Sequence, residues 1–224
     1  MNKIVRTQRT DGEATYNRIL EVAGELFAET GFAETTGKMI AARAGVDLAS
    51  INYHFGSRSG LYQAVLVEAH RRLVSVDSLR RLASTDLSAR EKLKKLIEGL
   101  VENATIDQNW HARVLSREFL APSSHLQVLL KTEIPAKLPF VLAILSEITA
   151  IPSDDPSVLR CLISVMAPCA MLLVIGRNFS SFADDIRRMP REELVEHLYS
   201  FAIGGLETVG REHGAGRREH QQGR

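Results

Sequence analysis

Three small or branched residues at fixed spacing constrain the N-terminal part of this chain more than any other feature. Ala41, Gly45 and Ile51 are separated by four and by six positions. A helix-turn-helix needs a small residue where its two helices cross, a glycine with positive φ in the turn, and a branched apolar residue in the second helix. The spacing therefore predicts a short helix before Gly45 and another after it. Asp47 is expected to cap the second helix, with Ile51 and Phe55 facing inward.

The same helical pattern extends over the rest of the sequence. Apolar residues recur three and four positions apart, and no stretch alternates as a half-buried strand does. We therefore predict an all-α fold. The expected helices run from about Glu13 to Thr30, from Thr36 to Ala44, from Asp47 to Phe55, from Ser57 to Val76, around an apolar stripe at 93–101, over 109–121, from Pro135 to Ala150, from Ser157 to Arg177, and from Pro190 onward.

Composition and length place the chain among folded proteins of the cytoplasm. Its 224 residues are 45% hydrophobic and 25% charged, which is enough apolar material for a core. Cys161 and Cys169 cannot form a disulfide framework, and no residues have zinc-ligand spacing, so we expect no metal and no cofactor. The sequence shows no signal peptide. Its longest uncharged apolar run, residues 161–176, is shorter than the roughly 20 residues of a membrane span, so no membrane association is expected.

Charge is close to balance overall, but basic residues gather at both ends. The formal net charge of +1 argues against a non-specific architectural protein that holds nucleic acid by bulk electrostatics. Residues 1–11 and 211–224 are expected to be flexible basic arms, and solvated termini without a function are the alternative interpretation. The basic residues concerned are Lys3, Arg6, Arg9, Arg211, Arg217, Arg218 and Arg224.

An ordered set of residues across 12–72 matches a known family. The set is Ile19-Leu20, Ala23, Leu26-Phe27, Gly31-Phe32, Thr35-Thr36, Ile40-Ala41, Ala44-Gly45-Val46, Tyr53-His54-Phe55, Arg58 and Leu61-Tyr62. With these residues the segment resembles the TetR family of transcriptional regulators. The resemblance implies a three-helix DNA-binding head at 12–72, joined by a fourth helix to a larger helical ligand-binding and dimerisation domain at 73–210. It further implies a homodimeric repressor that binds a palindromic operator in double-stranded DNA and is released by a small-molecule effector.

The resemblance also assigns DNA contacts by position. The third helix of such a head lies in the major groove, while helix N-termini attract phosphates. For Tyr53 and His54, packing with a phosphate hydrogen bond remains an alternative to base contact. The expected contacts on the third helix are Leu48, Ala49, Ser50, Asn52, Tyr53 and His54. The expected phosphate contacts at helix starts are Thr35, Thr36, Lys38 and Arg58.

Three residues of this segment depart from the family pattern. Gly37 replaces a branched apolar residue and is expected to weaken the second helix by up to about 1 kcal/mol. Asp47 stands where Ser or Thr is common, so it caps the third helix but repels nearby phosphate. Arg58 replaces the usual Lys and keeps its charge. The preferred DNA sequence therefore cannot be copied from a relative.

A second resemblance covers residues 111–182. The residues that carry it are Leu115-Ser116-Arg117-Glu118, Pro122, Ile148 through Ile151-Pro152, Asp154-Asp155 and the helix from Val158 to Arg177. They resemble the C-terminal domain of CecR-type regulators, a subset of the same family, which implies a sensor of drugs or other small molecules. Ligand cavities are mostly apolar with a few polar anchors. The candidate pocket residues are Trp110, His111, Arg113, Arg117, Glu118, Phe119, Met166 and Cys169.

Each kind of pocket residue has a plainer alternative. The aromatic residues and Met166, at helical spacing, suit a protein core. Arg117 and Glu118 suit a solvated or ion-paired face. A thiol on an apolar helix, such as that of Cys169, is more often an inert hydrophobic group than a redox switch.

The last two predicted helices are expected to form a four-helix dimer interface. Leu194, Leu198, Phe201, Gly205 and Val209 share one face of the final helix. The helix over 157–177 is apolar nearly all round and needs partner surface on several sides.

An all-α enzyme or small-molecule carrier is the alternative from another functional class. It predicts a catalytic or cofactor-binding motif. The sequence contains no HExxH motif, no P-loop and no Rossmann glycines. We therefore expect no enzymatic activity.

Overall fold

The computed structural model describes residues 3–105, 110–178, 185, 186 and 188–222. These residues form helices joined by turns and bends, and none of them is in a strand. The predicted all-α fold is confirmed. The parts of the predicted segments that fall on residues 1, 2, 106–109, 179–184, 187, 223 and 224 lie outside the described residues.

The helices are numbered in chain order. A 3₁₀ turn at Ser124–Leu126 and a π-helical turn at Leu129–Glu133 lie between α7 and α8. The helices are α1 (Lys3–Glu34), α2 (Gly37–Ala44), α3 (Leu48–Phe55), α4 (Arg58–Leu73), α5 (Val76–Ala83), α6 (Ala89–Thr105), α7 (Trp110–Leu120), α8 (Ile134–Thr149), α9 (Pro156–Asn178) and α10 (Arg191–Gln222).

The chain forms two compact units. The N-terminal unit holds the described residues up to Arg72 together with 110–133, and the C-terminal unit holds 73–105 and the described residues from 134 onward. The first division thus falls at the predicted boundary after residue 72. Residues 110–133 were expected in the second domain but pack with the N-terminal helices. The reason is that the apolar face of α7 is buried against α1.

Both chain ends are more helical than expected. α1 begins at Lys3, ten residues before the predicted start at Glu13, and α10 continues to Gln222 through most of the predicted arm. Neither segment contains a proline, which would end a helix, and glycine only weakens one. The predicted helix stop at Gly31 coincides with a kink inside α1, where φ is 84°.

The core of the N-terminal unit forms around the predicted inward stripe of α1. Ile19, Ala23, Leu26 and Phe27 are all buried. The other helices of this unit add large side chains with almost no exposed surface, which include Ile40, Ile51, Leu61, Leu66 and Leu115.

The C-terminal unit has a separate core, to which α9 contributes one face only. The buried residues of α9 in this core are Val158, Cys161, Val165 and Cys169. Its segment Pro156–Val174 has the length and composition of a membrane span, which is also a property of apolar core helices in soluble proteins. Leu159, Ile163 and Met171 of this helix are exposed in the single chain, so its expected burial on several sides stays a prediction that depends on a partner.

The face of α10 that packs in the core is not the one that Phe201 shares. Phe201, on the face expected to form a dimer interface, is 76% exposed. Val195 and Leu206 are buried in the core of the C-terminal unit. These two positions are three helical turns apart, so the buried stripe lies beside the face that carries Phe201, and the dimer interface stays a prediction.

Candidate nucleic-acid interface

The turn between α2 and α3 has the predicted helix-turn-helix geometry. Gly45 is left-handed, with φ 63° and ψ 40°, and its N–H donates to carbonyls at the end of α2. The N–H of Val46 donates to the Ala41 carbonyl over 3.0 Å. At the start of α2, the Thr36 hydroxyl accepts a hydrogen bond from the Met39 N–H. Both ends of this short helix are therefore capped.

Asp47 caps α3, as predicted. Its Oδ1 accepts hydrogen bonds from the Ser50 N–H over 2.7 Å and from the Ser50 hydroxyl over 2.6 Å. The bonds from the Ser50 side chain and backbone lower the pKa of Asp47. Ile51 is buried, as expected. The Ser50 hydroxyl, a predicted DNA contact, is thus already engaged as a donor within the helix.

The outer face of α3 carries the exposed residues that a DNA-reading helix needs. Tyr53 is 85% exposed, and base contact and a phosphate hydrogen bond both stay predictions for it. Leu48, Ala49 and Asn52 are also exposed. A Cβ at Gly37 would lie 3.0 Å from the Leu48 side chain, so the glycine at this unusual position makes room for Leu48.

An aromatic contact that sequence reasoning missed supports the end of α3. Tyr16 stacks on Phe55 with ring centroids 4.6 Å apart and meets the edge of His54 at 6.1 Å. Phe55 is therefore half-buried against α1 rather than fully inside the core. His54 is half-buried between Tyr16 and Tyr53, whose centroid lies 5.0 Å from its own. The sequence could have indicated a packing role for Tyr16, because it lies three residues before Ile19 and therefore on the same side of the helix.

The structure does not support a phosphate contact by Thr35. This residue has no exposed surface, and its hydroxyl donates to the Gly31 carbonyl over 2.7 Å. The hydroxyl also lies 2.8 Å from that of Thr30. Thr35 supplies a hydrogen-bond donor to a carbonyl at the end of α1, where backbone carbonyls have no N–H partner within the helix. By contrast, Thr36 and Lys38 are exposed at the start of α2.

Arg58 is likewise occupied inside the N-terminal unit. Its Nη1 donates to the Phe32 carbonyl over 3.1 Å and to the Thr35 carbonyl over 2.7 Å. The guanidinium carbon lies 4.2 Å from the centroid of the Phe32 ring. Arg58 therefore holds the connection between α1 and α2 through Nη1, and its phosphate contact stays a prediction.

Three of the predicted pocket residues of α7, namely Trp110, Arg113 and Arg117, contact α1. A Cβ at Gly24 would lie 2.5 Å from the Trp110 ring, and the indole N–H donates to Glu21 over 2.8 Å. Arg117 donates to the carbonyls of Ala28 and Glu29 over 3.0 and 2.9 Å. These contacts lie along residues 21–29 of α1, before the kink at Gly31. They explain why residues 110–133 fold with the N-terminal unit.

A buried carboxylate connects α7 to α4. Glu118 is 2% exposed and accepts hydrogen bonds from the Tyr62 hydroxyl over 2.8 Å and from the Ser123 N–H and hydroxyl over 2.8 and 2.7 Å. Burial, with the hydrogen bond to Glu118, raises the pKa of Tyr62. Burial and the neighbouring Arg72 guanidinium lower the pKa of His111 to about 4. These polar side chains have structural partners within this unit.

Met166 and Cys169 lie on α9 in the C-terminal unit, and burial raises the pKa of Cys169 to about 11. A protonated thiol reacts slowly, so the plainer interpretation of Cys169 as a hydrophobic group is favoured. Arg113 donates weakly to Ala28, and Phe119 is partly exposed.

Two protein-family models match this sequence, one in its N-terminal part and one in its C-terminal part. Residues 19–65 match the family model described as bacterial regulatory proteins of the tetR family. Residues 89–206, more than half of the chain, match the C-terminal domain of the HTH-type transcriptional dual regulator CecR. Both resemblances stated from the sequence are confirmed.

Whole-length relatives agree with these matches. The HTH-type transcriptional activator FasR of Mycolicibacterium smegmatis is 25% identical over 205 residues, which cover 91% of this chain and 88% of FasR. A putative transcriptional regulator from Pseudomonas aeruginosa PAO1 shares the fold with a TM-score of 0.71 at 17% identity, covering 94% of this chain and 99% of that one. FadR from Bacillus subtilis, solved with stearoyl-CoA, has a TM-score of 0.68 at 16% identity, and the match covers 85% of this chain and 98% of FadR. The chain belongs to the TetR family of transcriptional regulators and is a DNA-binding protein with a C-terminal domain of the CecR type.

Proposed function

We propose that this protein is a ligand-responsive repressor, which binds a palindromic operator as a homodimer and leaves it when a small molecule binds. The observation that carries the proposal is the exposed face of α3, held by the Gly45 turn, the Asp47 cap and buried Ile51. Eight residues make about two helical turns, enough to place a few side chains against base edges. We infer no catalytic role and expect the protein to act in the cytoplasm.

Base reading is assigned to the exposed residues of α3. The Asn52 amide has the donor and acceptor geometry that recognises adenine in the major groove. Leu48 and Ala49 suit the thymine methyl group, and Tyr53 reaches furthest from the helix. Lys38, with the half-buried His54, is assigned to phosphates, which fix position without reading sequence.

The homodimer is inferred from apolar side chains that the chain leaves exposed on its last two helices. Ile163 is 62% exposed on α9, and Phe201 is 76% exposed on α10. A soluble protein rarely leaves apolar patches open to water, and a second copy presenting the same helices would cover them. In a two-fold dimer the two copies of α3 then read two half-sites about one DNA turn apart.

The ligand response is inferred from the family and from FadR of Bacillus subtilis, which was solved with stearoyl-CoA. A ligand releases DNA only if it binds the DNA-free conformation more tightly than the DNA-bound one. The direction of regulation is part of the proposal, since FasR is named an activator.

The test is fluorescence anisotropy of the full-length protein with the DNA upstream of its own gene. We expect binding at least about 1,000-fold tighter than to scrambled DNA of equal length at physiological salt. Asn52→Ala should weaken operator binding by about 5- to 100-fold, while Asn17→Ala, on the exposed surface of α1, should not change it. Equal binding of upstream and scrambled DNA, with no effect of Asn52→Ala, would refute the assignment of α3.

A reporter gene placed behind the same upstream DNA tests whether the protein represses or activates transcription. Deleting the regulator should raise transcription if it is a repressor. A fall in transcription would show an activator and would overturn that part of the proposal. For the dimer, Ile163→Asp with Phe201→Asp should halve the molecular mass in sedimentation and reduce operator affinity.

A further inference from the structure

The C-terminal unit contains a cleft of about 280 Å³ between α5 and α6, which is also lined by Leu73, the last residue of α4. Ligand cavities for drug-sized molecules begin at about 300 Å³, so this cleft suits a smaller or slimmer ligand. None of the pocket residues predicted from the sequence lines it. Gly99 is one of the lining residues, and an added Cβ there would meet no other atom within 4 Å.

The walls of the cleft are aliphatic. No aromatic side chain is among the lining residues that the structure describes, whereas sites for planar aromatic ligands usually stack the ligand against such rings. Dispersion contacts with branched side chains suit a flexible hydrocarbon chain. The apolar lining residues are Leu73, Val74, Leu79, Leu82, Leu96 and Leu100.

Lys95 supplies the one charged group among the lining residues that the structure describes. Its Nζ is paired with Glu98 over 2.7 Å, on a side chain that is 60% exposed. Exposed ion pairs of this kind contribute little, so an anionic ligand can replace or share the partner. The two other polar residues are used internally: the Asn103 amide donates to the Leu73 and Gly99 carbonyls, and the Ser78 hydroxyl bonds to Ser75.

The volume sets the length of the chain that fits. A methylene group takes about 30 Å³, close to the share of one water molecule in the liquid. The cleft of about 280 Å³ then holds about nine of them. We propose that it binds an aliphatic chain of about eight to ten carbons, whose anionic head group lies at Lys95. The inference rests on the proposed ligand response and names the chemical class of the effector.

Calorimetry of the full-length protein without DNA tests the chain length. The probes are acyl-CoA thioesters of 4, 6, 8, 10, 14 and 18 carbons, with free octanoate and decanoate as a second arm. Burying one methylene strengthens binding about fourfold. Affinity should therefore rise about fourfold for each carbon and level off at about ten. A rise that continues unchanged to 18 carbons, or no binding at any length, would overturn the proposal.

Gly99 provides a matched pair of variants. Gly99→Leu fills the cleft and should lower affinity for the ten-carbon probes at least tenfold, while Gly99→Ala adds one methyl group and should change it less than about threefold. Equal affinities of the two variants would place the ligand elsewhere. Because helical glycine is unfavourable, both variants should keep the thermal stability of the parent.

Lys95→Gln tests recognition of the anionic head group separately from the Gly99 variants, which test binding of the hydrocarbon chain. It should weaken binding of the ten-carbon probes at least threefold, whereas Lys92→Gln, a neutralised lysine of α6 outside the cleft, should not. If Lys95→Gln weakens binding of both the thioester and the free acid, Lys95 recognises the negative charge that the two probes share. If it weakens binding of only one, that compound class is the ligand whose head group Lys95 recognises. Unchanged binding by Lys95→Gln to both would refute the assignment of the head group. Operator binding is measured separately on the same proteins, so a failure of the regulator proposal is distinguishable from a failure of the cleft.

Discussion

Replacing Glu118 with alanine is expected to destabilise the N-terminal unit by about 2–4 kcal/mol, because it removes the shared acceptor of several hydrogen bonds and leaves the buried Tyr62 hydroxyl without one. The buried carboxylate accepts three hydrogen bonds, from the Tyr62 hydroxyl and from the N–H and hydroxyl of Ser123. Hydrogen bonds to a charged group contribute about 1.5–3 kcal/mol each, and they are not additive. The half-exposed Ser123 recovers part of its loss from water, whereas the buried Tyr62 hydroxyl does not.

The assay is urea denaturation followed by circular dichroism at pH 7, combined with amide hydrogen exchange. Exchange is needed because a protein of two compact units does not have to unfold in one step. Protection should fall in α4 and α7 and remain unchanged in α9. Glu118→Gln, which keeps one acceptor oxygen, should lose about half as much stability.

Glu102→Ala is the matched control. Glu102 is exposed on α6 and pairs with Arg191 over 3.4 Å, so its loss should change stability by about 0–1 kcal/mol. If Glu118→Ala costs no more than this control, the buried network does not hold α7 to the N-terminal unit. The reasoning about residues 110–133 would then be refuted.

Three further predictions concern packing, DNA binding and pH. Gly210→Ala should destabilise the C-terminal unit by about 2 kcal/mol or more, because a Cβ there would overlap the Thr149 carbonyl; an unchanged melting temperature would contradict this contact. Lys38→Ala should weaken binding to operator and scrambled DNA alike and lower the slope of log affinity against log salt by about 1, whereas a loss confined to the operator would mean that Lys38 reads bases. His111 has a folded pKa of about 4 and an ordinary value of 6.5, so folding favours its neutral form. Its contribution to stability should be complete above pH 6.5 and be lost as the pH falls to about 4, and His111→Gln should flatten the stability profile in that range.

The helix-turn-helix could be predicted from the sequence because its determinants are local. Gly45 is required by a left-handed turn, Asp47 by free N–H groups at a helix start, and Ile51 by helical period. Each of these rules operates within six residues. They hold whatever the rest of the chain does.

The roles of Thr35 and Arg58 could not be predicted in the same way. A hydroxyl or guanidinium that suits a phosphate also suits a backbone carbonyl. Which of these two acceptors the side chain contacts depends on how close the start of α4 lies to the end of α1. The carbonyls that accept from Arg58 belong to Thr35 and Phe32, which are 23 and 26 positions away in the sequence. Distance in space, not residue type, decides between the two functions.

The position of α7 was missed for a related reason. Helical periodicity shows that Trp110 and Val114 share one face of α7, but it does not show which surface covers them. The covering surface is on α1, and the hydrogen bond from Trp110 to Glu21 spans 89 residues. The clue was the small Gly24 in the middle of α1, which permits the indole ring to approach.

The discontinuous N-terminal unit sets a rule for building chimeric regulators. A crossover placed after Arg72 would transfer α1 to α4 and leave 110–133 behind. Gly24 would then face a foreign helix in place of Trp110, and the Tyr62 hydroxyl would lose its acceptor. A transplantable DNA-reading module of this protein has to carry both stretches, and recombination between relatives is expected to exchange them together.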